Sequence, residues 1–374
     1  MAENAGEAGA SPGALTTRIE LGWKPCFEQQ LDPTESAGAL LARVGAHFGS
    51  RLLLLAERGE FEVPIQLNDG ARDLAVGDWL VLLPAQPGAD VGGRLDGKDW
   101  RIVRRLERQT ELSRKSAGTS GRRQMIAANI DTLFIVSSCN QDFNLSRLER
   151  YLALALEAGA LPLVVLTKAD LYADADTLRR RVEKLRPGLL VEVMDARDPL
   201  QSRCLSEWCG IGKTVALLGS SGVGKSTLVN SLGVQREQAT AGIREDDGKG
   251  RHTTTARSLH RIAQGGWLLD TPGMRELQLA DCAAGVDELF TDVLEVAQQC
   301  RFRNCSHQGD KGCAVTAAVE ADQLDARRVR NFLKIQAEQA RNAQTIMERR
   351  ESERNLGRMY KSIIAGKRNS RDRS

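Results

Sequence analysis

The sequence predicts a multidomain chain with an N-terminal OB-like β-barrel, a central α/β unit and a C-terminal, mainly helical domain built on a Cys/His cluster. Three observations predict it. Short apolar runs separated by turn residues crowd into some ninety positions after Leu40; strand and helix periodicities then alternate around one Gly-rich loop; and four potential metal ligands fall between Cys300 and Cys313. The 374 residues have room for two or three domains, each with its own core. The expected boundaries are a flexible tail at 1–30, a barrel at 31–114, the α/β domain at 115–276, the metal-binding helical domain at 277–350 and a basic tail at 351–374.

The first dozen residues are small, acidic and rich in Gly and Ala, too poor in apolar side chains to offset the entropy of ordering. Strands are expected at Ala42 to Phe48, Arg51 to Ala56, Phe61 to Gln66, Trp79 to Leu83 and Trp100 to Leu106, and five strands at this spacing fit an OB-like barrel. Such barrels often hold oligonucleotides, although a docking or purely structural barrel fits the pattern equally. A basic, Gly/Ser-containing stretch from Arg108 to Arg123 follows, read as an interdomain linker whose charge suits contact with phosphates.

Beyond it, strands at Asp131 to Ser137, Pro162 to Leu166 and Leu189 to Val193 alternate with helices at Leu145 to Ala158, Asp176 to Leu185 and Leu200 to Trp208. Further strands are expected before the Gly-rich loop, near Leu259 to Ala263 and at Trp267 to Asp270. This alternation predicts a mostly parallel sheet covered on both faces.

The Gly-rich loop is Gly219, Ser220, Ser221, Gly222, Val223, Gly224, Lys225, Ser226, Thr227, a complete GxxxxGKS between an apolar strand and a helix-like segment. Its backbone N–H groups and the following helix N-terminus suit phosphate oxygens, Lys225 adds charge near the β and γ phosphates, and Ser226 offers a magnesium ligand. Upstream, the strand ending at Leu166 runs into Thr167, Lys168, Ala169, Asp170. In P-loop GTPases a TKxD motif reads guanine: the Asp accepts from N1 and N2 hydrogens, a donor pair that adenine lacks, and the Lys stem packs on the base. Helix capping by Asp170 is the competing structural reading. The segment Val193 to Arg197 (VMDAR) falls where a backbone element supports the guanine O6.

Downstream, Trp267 to Gly273 is an apolar strand ending in DTPG, with Asp270 placed to reach magnesium through water and Gly273 to meet the γ-phosphate. Between lies a polar stretch, Gln235 to Arg257, containing GRHTTT (Gly250 to Thr255), suited to a loop that orders on the γ-phosphate and magnesium. One of Thr254 and Thr255 supplies the magnesium-ligating hydroxyl. The base-reading motif therefore precedes the phosphate loop and DTPG closes the domain, whereas ordinary GTPases begin with the phosphate loop and place the base-reading motif after the switches: the domain is a circularly permuted P-loop GTPase.

Cys300, Cys305, His307 and Cys313 offer three thiolates and one imidazole, a donor set for a closed tetrahedral zinc site. No apolar run is long enough to span a bilayer, and the start lacks a basic-then-apolar signal, so a cytoplasmic protein with reduced cysteines and no membrane partner is expected. The remaining cysteines read as buried or inert. A long helix is expected at Asp325 to Glu348. The chain then ends with Arg349, Arg350, Arg354, Arg358, Lys361, Lys367, Arg368, Arg371 and Arg373, which suit a phosphate backbone although the formal net charge is only +3.

Permutation, barrel and Cys/His cluster together, with AANID (Ala127 to Asp131), TKAD, GSSGVGKST, GRHTTT and DTPG, resemble the RsgA (YjeQ) family of small ribosomal subunit biogenesis GTPases over nearly the whole chain. The resemblance implies GTP/GDP and Mg2+ as ligands, one structural Zn2+ and the small ribosomal subunit with its rRNA as partner. It also implies hydrolysis coupled to late maturation and to release from the subunit, and a monomer is expected. Met274 stands where Ras-like enzymes place a water-orienting Gln, so intrinsic hydrolysis is expected to be slow. The resemblance points to His252 as the residue that positions the water. The competing function is a nucleotide-gated rRNA-binding adaptor in which GTP binding, not hydrolysis, recruits the partner.

Overall fold

The computed structural model describes residues 16–65, 73–86, 95–115, 123–235, 257–270 and 282–341. The GRHTTT segment with His252, Thr254 and Thr255, the segment Thr271 to Met274 with Gly273, and the basic residues after position 341 lie outside them. The chain divides into two compact units. The first gathers residues 1–113, 125–143 and 158–277; the second gathers 114–124, 144–157 and 278–374.

Two short helices, α1 (Pro25–Glu28) and α2 (Pro33–Gly38), precede the barrel. Asp32 and Glu35 form a reciprocal capping box that starts α2. Residues 16–30, expected to belong to a flexible tail, are ordered because their aromatic side chains have somewhere to go. Phe27 is fully buried, and Trp23 meets Trp79 edge-on at 4.7 Å. Only residues 1–15 of that expected tail fall outside the described part.

Five strands follow: β1 (Leu40–His47), β2 (Arg51–Ala56), β3 (Gly59–Pro64), β4 (Trp79–Pro84) and β5 (Trp100–Arg105). Their pairing order is β3-β2-β1-β4-β5, all antiparallel, as in an OB-like barrel. The register brings apolar side chains of neighbouring strands face to face. Leu54 lies opposite Phe61 and Leu52 opposite Val63, and all four enter one core with Leu80, Trp100 and Ile102. The stretch expected as a linker contributes β6 (Glu111–Lys115) and β7 (Arg123–Ala128), which pair as a separate two-stranded sheet.

The α/β part of the first unit holds β8 (Thr132–Ser138), β9 (Leu161–Thr167), β10 (Leu190–Val193), β11 (Thr214–Leu218), β12 (Val234–Gln235), β13 (Arg257–Ile262) and β14 (Trp267–Asp270). The order β10-β9-β8-β11-β14 is parallel throughout. Every residue of β8 and β11 is buried, as expected of strands covered on both faces. The sheet then continues through β13, antiparallel to β14, into β1, where Ala46 faces Ser258 and His47 faces Arg257. Barrel and nucleotide-binding sheet are thus one hydrogen-bonded surface.

Arg43 pins this junction. Its guanidinium is fully buried and donates to the carbonyls of Leu21 (2.7 Å) and Asn129 (3.3 Å) and to the Thr214 hydroxyl (2.8 Å) at the start of β11. Burial lowers its pKa to about 10, against the opposing pull of Asp131 and Asp78. The AANID motif supplies two of the groups involved. Asn129 takes a left-handed turn, and Asp131 accepts from the Thr214 amide and from Lys24.

Helices α4 (Ala175–Glu183) and α5 (Lys225–Ser231) also belong to the first unit; Leu228 of α5 joins Phe134, Val136, Val215 and Leu217 in its main core. The helix expected at Leu200 to Trp208 is instead a run of 3-10 turns over Gln201–Cys209. Ser202 and Leu205, three residues apart, are both buried, a spacing that three-residue turns place on one face.

The second unit contains α3 (Leu145–Glu157), α6 (Ala283–Leu289), α7 (Thr291–Ala297), α8 (Ala314–Glu320) and a helix over 326–341, here α9. Its centre is the carboxylate of Glu149, fully buried on α3. It accepts from Arg327 (2.9 and 3.0 Å), Arg328 (3.1 Å) and the Asn331 amide (2.5 Å). Arg328 also bonds Asp292 and lies 4.6 Å from the centre of the Phe290 ring, which itself packs on Phe332. A buried carboxylate is tolerable here because its lone pairs are satisfied by charged or amide donors.

Candidate nucleotide site and metal centre

The sheet order places the loops after β9, β10, β11 and β14 at the carboxyl ends of neighbouring parallel strands, where open α/β sheets bind ligands. The phosphate loop connects β11 to α5. Gly219 is as close to β8 as the chain permits: a Cβ there would stand 2.3 Å from the Val136 carbonyl oxygen. Gly224, at φ +95°, takes a backbone conformation that side chains resist, and it caps α5. Lys225 bends back over the loop, its ammonium donating to the carbonyls of Gly219 (2.6 Å) and Ser220 (2.5 Å). Ser226 is exposed at the first turn of α5.

TKAD lies directly against this loop. The Thr167 hydroxyl, almost fully buried, donates to the Val223 carbonyl at 2.6 Å, and Lys168 donates to the Gly222 carbonyl at 2.8 Å. Lys168 reaches it from a left-handed backbone conformation (φ +57°), which also ends β9 and turns Ala169 and Asp170 outward. Asp170 sits in a short 3-10 turn over Ala169–Leu171, not at the N-cap of an α-helix; the cap of α4 is Asp174. Asp270 is the exposed last residue of β14, next to β11.

Arg197 was not anticipated from the sequence beyond its membership of VMDAR. Its guanidinium donates to Asp170 Oδ2 at 2.7 Å and to both oxygens of Asp195. The Arg197 side-chain bond holds the Asp195 carboxyl below the usual carboxylate range, while Asp195, with a smaller contribution from Asp170, raises the Arg197 pKa. On the backbone of the same segment, Ala169 donates to the Met194 carbonyl.

The second unit brings Cys300, Cys305, His307 and Cys313 together, their ligand atoms all within 4.8 Å of one another. His307 Nδ1 is 3.6 Å from both Cys300 Sγ and Cys313 Sγ, and these sulfurs are 4.0 Å apart. Tetrahedral zinc with ordinary bond lengths requires edges of about 3.5 Å for S–N and about 3.8 Å for S–S. The donor set and spacing therefore fit zinc, with four protein ligands and no open position for catalysis. A left-handed His307 makes the reversal between Cys305 and Cys313 possible. Asp310 stands behind the cluster and accepts from the Ser306 amide and hydroxyl, which holds the turn between Cys305 and His307, a contact not read from the sequence.

Of the other cysteines, Cys139 and Cys209 are buried, and burial pushes their thiols up to about 11 and about 12, consistent with inert packing residues. Among the described residues no helix is long and apolar enough to cross a membrane.

A GxxxxGKS loop on a parallel sheet, a TKAD motif upstream of it and a later strand of the same sheet ending at Asp270 define a circularly permuted P-loop GTPase. The RsgA GTPase family profile matches residues 105–280. Over 349 residues, 93% of each chain, the sequence is 48% identical to "Small ribosomal subunit biogenesis GTPase RsgA 2" of Vibrio parahaemolyticus. It is 46% identical to "Small ribosomal subunit biogenesis GTPase RsgA" of Mesorhizobium japonicum, over 86% of this chain and 90% of that one. The fold is similar to that of YjeQ from Thermotoga maritima (TM-score 0.58, 23% identity, 81% of this chain and 99% of that one). It is also similar to YloQ, described as a circularly permuted GTPase (TM-score 0.56, 24% identity, 81% and 95%). The chain belongs to the RsgA family of GTPases.

Proposed function

We propose that this protein hydrolyses GTP while bound to the small ribosomal subunit and couples that hydrolysis to the subunit's late maturation and to its own release. The observation that supports this reading most directly is the contact of Thr167 and Lys168 with Val223 and Gly222, because it joins a guanine-selecting segment to a phosphate-binding loop. Asp170 selects the base; Gly219 to Thr227 hold the phosphates; Ser226, one of Thr254 and Thr255, and Asp270 through water serve magnesium; Gly273 meets the γ-phosphate. Zinc held by Cys300, Cys305, His307 and Cys313 supplies structure alone, since all four positions are filled by protein.

With Met274 unable to orient water, His252 positions the attacking water, and the subunit supplies what the isolated protein lacks. The barrel and the basic C-terminal residues hold rRNA, and the protein works as a cytoplasmic monomer. The relatives' names, each that of a small ribosomal subunit biogenesis GTPase, agree with this partner. GTP turnover measured with purified small subunits, large subunits and neither tests the proposal: stimulation by small subunits alone is expected. Equal turnover in all three, with GTP-dependent subunit binding intact, would instead favour the nucleotide-gated adaptor.

A further inference from the structure

One oxygen of the Asp170 carboxylate is bonded by the guanidinium of Arg197. Guanine offers a carboxylate two parallel N–H donors, N1–H and N2–H, and needs both carboxylate oxygens. The guanidinium of Arg197 carries the same kind of planar donor fork, and it already holds Asp170 Oδ2 at 2.7 Å. Among the described residues no other side chain bonds this carboxylate; the neighbouring Lys168 directs its ammonium to Gly222 instead. Base and arginine therefore compete for one acceptor.

Arg197 also has somewhere else to go. Asp195 accepts from its Nε (3.0 and 3.3 Å), its Nη2 (2.9 Å) and its backbone amide (2.9 Å). Releasing Asp170 costs the arginine one bond of several. The side chain is 68% exposed, so little packing resists the movement. The lowered pKa of Asp195, due first to its side-chain bond with Arg197, agrees with Asp195 being the more persistent partner.

We propose that Arg197 is an internal competitor for the guanine-reading carboxylate: it occupies one oxygen of Asp170 with a guanine-like N–H donor and retreats wholly onto Asp195 when the base docks. This rests on the reading of Asp170 as the group that selects guanine. Two consequences distinguish a competitor from a residue that merely shapes the loop. Removing Arg197 strengthens guanine nucleotide binding, and removing its retreat position weakens it only while Arg197 is present. A nucleotide without the two donors gains nothing from either change.

The test is titration of fluorescent GDP and ADP onto the full chain and its variants Arg197→Ala, Asp195→Asn, the double variant and Asp170→Asn. Because exposed ion pairs are individually weak, Arg197→Ala is expected to tighten GDP by about two- to five-fold and to leave ADP unchanged. Asp195→Asn is expected to weaken GDP by a similar factor, and the double variant to match Arg197→Ala. GDP binding equal to or weaker than wild type in Arg197→Ala, or an Asp195→Asn loss that persists in the double variant, overturns the proposal. Asp170→Asn should lose GDP and gain xanthosine diphosphate, whose C2 carbonyl accepts from the new amide. If it does so while Arg197→Ala has no effect, only the competitor fails; if it keeps GDP, the base-reading role itself fails and the competitor with it.

Discussion

The hydroxyl of Thr167 donates a 2.6 Å hydrogen bond to the carbonyl of Val223, 56 positions away in the sequence, so the TKAD segment holds the GxxxxGKS loop in shape. Both groups lie in a region where Thr167 is 1% exposed, and the carbonyl has no easy replacement from water. Thr167→Val keeps the shape but not the donor. Leaving a buried carbonyl unsatisfied costs about 1–3 kcal/mol, so thermal unfolding should shift down and GDP affinity should fall by about tenfold. Thr167→Ser retains the donor and should restore most of both. Calorimetric titration of the three proteins checks this; a Thr167→Val protein with unaltered GDP affinity would show that the loop holds its own conformation.

Glu149 presents a separate test in the second unit. Its carboxylate is fully buried beneath Arg327, Arg328 and Asn331. Truncation in Glu149→Ala strands two guanidinium groups, and breaking such a buried pair costs about 3–5 kcal/mol. Arg327 is partly exposed and can turn to water, so Arg327→Ala should cost less than Arg328→Ala, whose guanidinium also holds Asp292 and the Leu289 carbonyl. Urea denaturation of the full chain should give that order of midpoints.

Which parts of this were legible in the sequence follows from how local their causes are. The barrel strands were, because each is a short apolar run bounded by turn residues, as Arg51 to Ala56 and Gly59 to Pro64 are, and such a run needs only a neighbouring strand to pair with. The Cys/His cluster was, because Cys300 to Cys313 is one short loop. The segment from Arg108 to Arg123 was read as a linker suited to phosphates, and the strands at its two ends were not foreseen: its Gly, Ser and Arg content resembles solvated chain, and the pairing of β6 with β7 is not a property of either alone. The association of α3 with α6 and α9 was also hidden, since an apolar helix face does not name what covers it. Arg197 escaped notice for a related reason, as its acceptor on Asp170 lies 27 positions away.

Metal removal should act on the second unit selectively. Cys313 is both a potential ligand and the N-cap of α8, accepting from the Thr316 amide at 3.4 Å. Binding free energies of structural zinc sites are on the order of 10 kcal/mol, so the loop from Cys300 to Cys313 should lose its fold without the metal. Elemental analysis is expected to find one zinc per chain in the wild type and background levels in Cys313→Ala. Chelation should expose the 301–312 loop to protease while GDP binding, a property of the first unit, persists. Absence of stoichiometric zinc from carefully purified wild-type protein would refute the site.

The two steps of the nucleotide cycle should separate by mutation. Lys225 already lies over the phosphate loop, its ammonium on the Gly219 and Ser220 carbonyls, so a phosphate would meet a charge that is in place before binding. Lys225→Ala removes that charge and should weaken GTP and GDP alike, by tenfold or roughly that order. His252 acts differently if it positions water: it contributes to the transition state and little to the ground state, so His252→Ala should leave GTP affinity unchanged and abolish the turnover stimulated by small subunits. Single-turnover hydrolysis on purified small subunits distinguishes the two. Normal hydrolysis in His252→Ala would pass the water-positioning role to another group, and because Met274 cannot hydrogen-bond a water usefully, that group would have to come from the subunit.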